Sequence, residues 1–373
     1  MKTCLYGGRL FDGEKLYDGG PSILFDQCGI LEVSSKDLSS AADHCVHGGR
    51  SLILPGLVDL HCDVLEKCIE MRPGVLFDPQ FALAALDRRL AAAGITTFCH
   101  AVSFTDNELG LRSPNRAAQV VCDIKTFDSS PCASIRHRVH GRFEVGSDQA
   151  RPIFDDLLHK GLLDLASIMD HTPGQGQFRT LEAFHRCYSG TYKLSQAETE
   201  SLAKAKIHKS QSAWQNVVDL AGMVRRCRVP LLSHDDDNPV KVQLVHTLGA
   251  VGCEFPVSLE AAREAKIRSM AVLVGAPNVL RGASSNSHLS ARTAVLEGVT
   301  DALISDYYPE CLLQAPFLLH RLCGLPLSSA LALVTSGPAR LLDPHGRCGY
   351  LKPGLPVETT VSAQCRYLEC DIA

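Results

Sequence analysis

The sequence predicts an α/β fold: a TIM-like (β/α)8 barrel with a small β-structured annex. Three observations predict it. Short apolar runs cut by glycine pairs occupy the first fifty or so residues; strand-like and helical segments then alternate for nearly three hundred; and the last thirty or so return to Gly, Pro and β-branched character. Eight strand–helix units in about 250 residues suit a closed barrel, with an open doubly wound sheet as the competing topology. On this reading residues 1–54 and 345–373 pair into one small β-domain and residues 55–344 form the barrel. A chain of 373 residues is long enough for both.

Taken in order, the runs at 22–25 and 30–33 lie among Gly7-Gly8, Asp12-Gly13, Gly19-Gly20 and Gly48-Gly49, which read as tight turns. Pro55-Gly56 marks the change to the barrel. Residues 57–64 form the first strand, and Asp78 with Pro79 caps a helix that ends at Gly94. A second strand follows at 96–102, then others near 138–145, 165–171, 230–235, 252–255, 270–275 and 301–306. One interval breaks the rhythm. Residues 172–212 are polar and irregular, with Gly174 and Gly176, before Ser195 and Glu198 spaced as a capping box for a later helix. They read either as a lid over the barrel mouth or as a solvated insertion.

Composition excludes several function classes. Lys plus Arg number 37 against 41 Asp plus Glu, a net charge of −4 that leaves no basic excess for a nucleic-acid backbone. No apolar run reaches the roughly 18 residues of a membrane span, and the start through Arg9 has no apolar signal region, so a cytoplasmic protein is expected. The 16 cysteines contain no Cys-x-x-Cys pair and are read as reduced, buried small hydrophobes. A phosphate-binding Gly-x-x-x-x-Gly-Lys loop, a dinucleotide glycine fingerprint and a Gly-x-Ser-x-Gly elbow are all missing.

The polar residues at the strand ends carry the chemistry. Strict alternation along Asp59-Leu60-His61-Cys62-Asp63 places Asp59, His61 and Asp63 on one face, toward the barrel axis. His140, Arg142 and Glu144 likewise share a face. Asp170-His171, Ser233-His234-Asp235 and Ser305-Asp306-Tyr307 end further strands. His61, Asp63, Glu144, His171, His234 and Asp306 thus gather at the C-terminal pole, where barrel enzymes keep their chemistry. Buried acceptors in such number are costly without a cation. Imidazole and carboxylate without cysteine suit one or two divalent ions, zinc first, manganese or iron(II) otherwise. The Asp235-Asp236-Asp237 run reads partly as a solvated cap, with ligation by any one of the three the lesser alternative.

This set resembles the amidohydrolase superfamily, whose metal-dependent hydrolases pair His-x-His or His-x-Asp on the first strand with a bridging lysine or glutamate, two later histidines and a final aspartate. By that resemblance His61 and Asp63 are the pair, Glu144 the bridge, His171 and His234 the later histidines and Asp306 the last ligand and proton acceptor. The strand count puts Glu144, His171 and His234 on the third, fourth and fifth strands, one earlier than the usual scheme. A narrower resemblance runs through Leu65-Glu66-Lys67, Arg72-Pro73-Gly74-Val75, residues 91–97, Met169-Asp170-His171-Thr172-Pro173-Gly174-Gln175, Ser233-His234-Asp235-Asp236-Asp237, Glu254-Phe255-Pro256, the segment from Gly275 to Gly282 and Ser305-Asp306-Tyr307. These look like the PhnM family of the carbon–phosphorus lyase pathway. That family cleaves α-D-ribose 1-methylphosphonate 5-triphosphate to the 5-phosphate and pyrophosphate, which implies a phosphorylated-sugar substrate and a metal-activated hydroxide as nucleophile. The departures lie at Ala283-Ser284-Ser285-Asn286-Ser287-His288 and after Pro353.

A triphosphate needs cations and polar donors around it. Lys67, Arg72 and Arg281, with Asn278 and Ser284, are the substrate-binding candidates; Arg142 and Arg179 are further ones, each weighed against a solvated rim charge. Two rivals remain. One is hydrolysis of a C–N bond in an amide or cyclic amide, favoured by an apolar pocket. The other is a non-catalytic scaffold or binding protein, favoured by loss of the ligand set. A small-molecule substrate and a homo-oligomer are the partners expected.

Overall fold

The computed structural model describes residues 1–72, 74–106, 113–174, 176–178, 180–192, 194–284, 288–343, 345–357 and 359–362. Eight parallel strands follow one another round a barrel: β1 (Leu57–Cys62), β2 (Ile95–Phe104), β3 (Arg136–Glu144), β4 (Leu165–Met169), β5 (Leu231–His234), β6 (Gly252–Glu254), β7 (Ala271–Gly275) and β8 (Ala302–Ile304). The strand count read from the sequence therefore holds, with Glu144 ending β3, His171 following β4 and His234 ending β5. The ring closes through a single bridge between Cys62 and Asp306. There the Asp306 N–H donates to the His61 carbonyl at 2.9 Å and the Asp63 N–H to the Asp306 carbonyl at 2.8 Å.

Period-two alternation sorts the strand side chains into two cores. Val58, Leu60, Cys99, Leu165, Leu232, Leu273, Ala302 and Ile304 fill the barrel, which Ala339 and Cys348 close from below. Phe98, Phe104, Phe143 and Ile168 point outward against helices such as Pro79–Ala92 and Ala150–His159. The first of these helices starts as its sequence predicts: Pro79 sits in its first turn, and the Asp78 carboxylate accepts from the Gln80 and Phe81 N–H groups.

The strict alternation expected along β1 is broken. Its register against β2 pairs Asp59 with Phe98 but Cys62 with His100, so β1 carries one extra residue, a bulge. Val58 and Leu60 face the inner core, and after the bulge His61 also turns inward, beside His140, His234 and Phe255. Asp59 does not join His61. Its Oδ1 accepts the His61 N–H at 3.3 Å and the Ser305 N–H at 3.1 Å, tying β1 to the end of β8.

Two four-stranded sheets form the annex. One orders Gly29–Ser34, Ser22–Asp26, Thr3–Tyr6 and His44–His47; the other orders Thr359–Ser362, Leu52–Pro55, Arg9–Phe11 and Leu16–Tyr17, so the late strand pairs antiparallel with the one before β1. The interval 172–212 is largely helical rather than irregular. It contains α1 (Leu181–Tyr192) and the first half of α2 (Gln196–Arg226), whose start carries the Ser195/Glu198 capping box. Phe178, Phe184, Tyr188 and Ala203 give this helical pair a small core of its own. Among the described residues no helix is long and apolar enough to cross a membrane, and the cysteines are free thiols.

The Asp59 junction positions the first and last site segments together, which makes it testable. Asp59→Ala leaves two buried N–H groups without an acceptor and should cost about 1–3 kcal/mol in urea denaturation. Asp59→Asn keeps an acceptor oxygen and should lose well under half of that.

Candidate metal centre

Four imidazoles and five carboxylates converge where β1, β3, β4, β5, β6 and β8 end. Asp63, His171, His234, Asp235 and Asp306 line a cavity of about 320 Å³ together with Arg142, Phe178, Tyr188, Asn278 and Ser284. His61, His140, Glu144 and Glu254 lie against this group, all buried. Their donor atoms are closely spaced. His61 Nδ1 is 3.0 Å and His140 Nε2 3.3 Å from the Glu254 carboxylate, and His234 Nε2 is 4.0 Å from it. Asp235 Oδ2 lies 2.9 Å from His234 Nδ1 and 3.9 Å from His171 Nε2. Two sets, His61/His140/Glu254 and His171/His234/Asp235, are compact enough to hold a cation. Ligands at about 2.0–2.1 Å in a tetrahedron stand about 3.3 Å apart, the scale of the His140–Glu254 gap.

The hydrogen bonding points the same way. The His61 ring donates through Nδ1 to Glu254, the His171 ring through Nδ1 to Glu144 at 2.8 Å, and the His140 ring through Nδ1 to the Leu60 carbonyl at 2.9 Å. For His61 and His171 this leaves Nε2 as the lone-pair nitrogen, the arrangement by which outer partners orient metal-binding imidazoles, whereas His140 Nε2 also lies 3.0 Å from Ser167 Oγ. Among the described residues both His234 nitrogens, Asp63 Oδ1, Asp235 Oδ2 and Glu254 Oε1 are buried with no hydrogen-bond partner. Acceptors facing acceptors in a dry site are costly, and a divalent cation resolves the conflict. The residues therefore fit a metal.

Electrostatics follow from burial. Burial, with the Arg142 charge beside it, pushes the His61 pKa far down and that of His140 down to about 3, so these rings are neutral. Burial pushes Glu254 well up. Burial and then the Asp63 carboxylate raise Asp306 to about 7. For Glu144, burial opposes ionisation but is outweighed by Lys206 and His171, which hold the carboxyl near 2. A bound cation would oppose the rise at Glu254 and Asp306. Strain concentrates here as well. Asp235, Phe255 and Asp306, each one or two residues past a strand end, adopt left-handed φ values of 55°, 51° and 60°, yet their N–H groups still bond the neighbouring chain at 2.9 Å.

Of the six residues expected as ligands, His61, His171 and His234 fall in the two compact groups, Asp63 and Asp306 line the cavity beside them, and Glu144 bonds the His171 ring. The other three members of those groups were not among the expected ligands. His140 shares its face with Glu144 at a spacing of four, a signal that was readable; Glu254 is a lone carboxylate in a buried three-residue strand; and Asp235 belongs to a run read partly as a solvated cap although its first member is buried. Of the substrate-binding candidates, Asn278 and Ser284 line the cavity, and Lys67 sits at its rim with Nζ 5.6 Å from the Tyr307 ring centre. Arg72 does not reach the cavity wall, because it rides an exposed two-stranded hairpin, Glu70–Arg72 with Val75–Leu76. Arg281 is exposed at the end of the short helix Ala276–Arg281 and also lies off the wall. Arg142 is buried on the wall, donating from Nη2 to Ser103 Oγ at 2.7 Å. Arg179 and residues 285–287 of the atypical loop lie outside the described residues.

Acid should weaken the metal-free protein for a reason that one ring isolates. An unfolded histidine protonates near 6.5, whereas native His140 does so only near 3. Between those values the unfolded chain binds more protons, so stability falls as pH drops through the window, by about 1.4 kcal/mol per pH unit for this ring. Urea midpoints of the metal-free protein across that range should follow this slope, and His140→Gln should flatten it by about that amount.

No family model matches the chain. It is 32% identical over 329 residues to the alpha-D-ribose 1-methylphosphonate 5-triphosphate diphosphatase of Escherichia coli (strain K12), covering 86% of this chain and 87% of the other. Among solved structures it resembles an N-acetyl-D-glucosamine-6-phosphate deacetylase from Mycobacterium smegmatis, with a TM-score of 0.65, 13% identity and coverage of 97% and 95% of the two chains. It also resembles a crystal structure of an amidohydrolase at a TM-score of 0.61 and 16% identity, covering 97% and 92%. Those structural likenesses concern the fold, and the sequence match goes further: the chain belongs to the family of the Escherichia coli diphosphatase, the PhnM family.

Proposed function

We propose that this hydrolase acts on α-D-ribose 1-methylphosphonate 5-triphosphate or a closely related phosphorylated ribose, releasing pyrophosphate and leaving the 5-phosphate. The observation that carries this reading is the 32% identity along 86% of the chain to the diphosphatase of that name. The products require the bond between the α- and β-phosphoryl groups to break. One or two divalent cations, zinc first, would be held by His61, Asp63, Glu144, His171, His234 and Asp306, with His140, Glu254 and Asp235 beside them. Such a cation supplies a Lewis acid and lowers the pKa of its water.

The chain's own residues have distinct tasks. Asp306, buried on the cavity wall, accepts a proton from the attacking water and returns it to the leaving oxygen. Arg142 presents a desolvated guanidinium whose Nε has no hydrogen-bond partner among the described residues, suited to the non-bridging oxygens of a phosphoryl group. Lys206 comes from α2 to within 3.5 Å of Glu144 and adds positive charge above the centre. Asn278 and Ser284 offer hydrogen bonds to phosphate or ribose, and Tyr188 of α1, with Phe178 packed against the helical pair, lines the cavity and limits water. Cations next to an acidic centre favour a polyphosphate over an acyl or ring substrate.

Turnover of the ribose triphosphate compared with a panel of N-acyl and cyclic-amide compounds tests the reading. Pyrophosphate release should exceed amide hydrolysis by orders of magnitude, and the reverse preference overturns it. Arg142→Met should lower kcat/KM about 100-fold or more, the scale of removing one oriented donor from developing charge, with metal content unchanged. Asp306→Asn should abolish most turnover.

A further inference from the structure

A second concave site lies at the opposite pole of the barrel, beneath the N-terminal ends of the strands. It is the larger cavity, about 1170 Å³, and opens between the starts of β2 to β6 and the segment that leaves the barrel after Arg340. Six arginines line it, Arg136, Arg138, Arg225, Arg228, Arg340 and Arg347, against two acids, Asp164 and Asp343. In a chain of net charge −4 this excess of one sign is local, not compositional.

The two acids are already engaged. Asp164 pairs with Lys125 and stands 3.8 Å from Arg138, and its Oδ2 also accepts the Val139 N–H at 2.7 Å. Asp343 pairs with Arg347 at 3.2 Å and accepts the His345 and Arg347 N–H groups. Arg138 finds its main counter-ion outside the cleft, in Asp128 at 3.0 Å. Among the described residues Arg225, Arg228 and Arg340 make no ion pair and no side-chain hydrogen bond. Arg136 is half-buried between strands; burial lowers its pKa, and Arg138 and Arg347 add to that. A concave surface walled by like charges focuses its field, and guanidinium forks match phosphate oxygens in pairs. Between the arginines the wall is apolar, with Leu163, Val229, Leu248 and Leu341. The volume exceeds what a phosphate chain alone would fill.

We infer that this cleft is a binding site for a phosphate polyanion, separate from the metal centre, with room for an organic group such as a nucleoside. It is independent of the substrate reading above, because none of its lining residues belongs to the catalytic cavity.

Equilibrium dialysis of the metal-loaded enzyme with the magnesium complexes of ATP and of inorganic tripolyphosphate tests it. Wild type should show two classes of site for at least one probe. The triple variant Arg225→Gln, Arg228→Gln, Arg340→Gln should lose one class or weaken it at least tenfold while turnover stays within twofold; Arg142→Met should affect only the other class. Each single substitution should weaken the same class by a smaller factor, which keeps the result readable if the triple variant folds poorly. Tighter binding of ATP than of tripolyphosphate assigns the apolar wall to a nucleoside, and equal binding assigns the ligand to its phosphates; both uphold the site. Unchanged binding in every arginine variant, or a wild type with only the class that Arg142→Met removes, overturns it.

Discussion

The constraint on which this structure rests is the burial of imidazoles and carboxylates side by side, several of whose polar atoms have no hydrogen-bond partner. Among the described residues Asp63, His234, Asp235 and Glu254 carry such atoms, and Asp235 Oδ2 faces His234 Nδ1 at 2.9 Å without hydrogen-bond geometry. In a medium of low dielectric each such encounter is unfavourable. Replacing any one of these residues by an apolar group would relieve the conflict, yet all are present. The arrangement makes sense as a cation cage whose binding energy offsets its own strain. The left-handed residues at the strand ends belong to the same economy: Phe255 at φ 51° gains nothing locally, but the turn it makes leaves Glu254 against His61 and sets its own ring beside His61 and His234.

How these groups are delivered follows from barrel geometry. A residue one or two places past a strand end leaves the packed interior just where side chains from different strands meet, so a histidine or aspartate there reaches the centre with little freedom. The interior below is filled by a layer of aliphatic residues, Leu60, Leu165, Leu232 and Leu273 among them, which keeps water from the underside of the centre. Asp59 locks the seam on which two of the site segments depend, and the bulge in β1 turns His61 inward directly after Leu60.

Much of this was legible in the sequence, and the misses have physical causes. His61, Asp63, Glu144, His171, His234 and Asp306 stand out because polar residues interrupt apolar strands at corresponding places. His140 carries the same signal two pleat repeats earlier, but a lone histidine within a strand reads equally as a core residue. Asp59 was misplaced because alternation assumes an unbroken register, and no residue type announces a bulge whose only sign is pairing with β2. The helical pair was read as irregular because a helix that covers a cavity mouth is polar on most of its surface, and the apolar contacts of Phe178, Phe184 and Tyr188 are made within the pair rather than with the barrel core. Charge distribution was the least visible of all: a net charge of −4 says nothing about where the signs lie.

That distribution gives the molecule a polarity along the barrel axis. The C-terminal pole gathers carboxylates and neutral imidazoles and so calls for cations. The N-terminal pole gathers arginines whose few acidic neighbours are already committed, and so calls for anions. Strand ends alone do not impose this, since the amide dipoles of a β-sheet largely cancel. The side chains impose it. A phosphate compound approaching from solvent therefore meets attraction at both ends for different reasons: at one through Arg142, Lys206 and any cation held by the buried imidazoles and carboxylates, at the other through guanidinium groups alone. Only the first pole joins candidate metal-binding groups to a buried carboxyl on the cavity wall, and that is why hydrolysis is assigned there while the other end is equipped to bind and not to cleave.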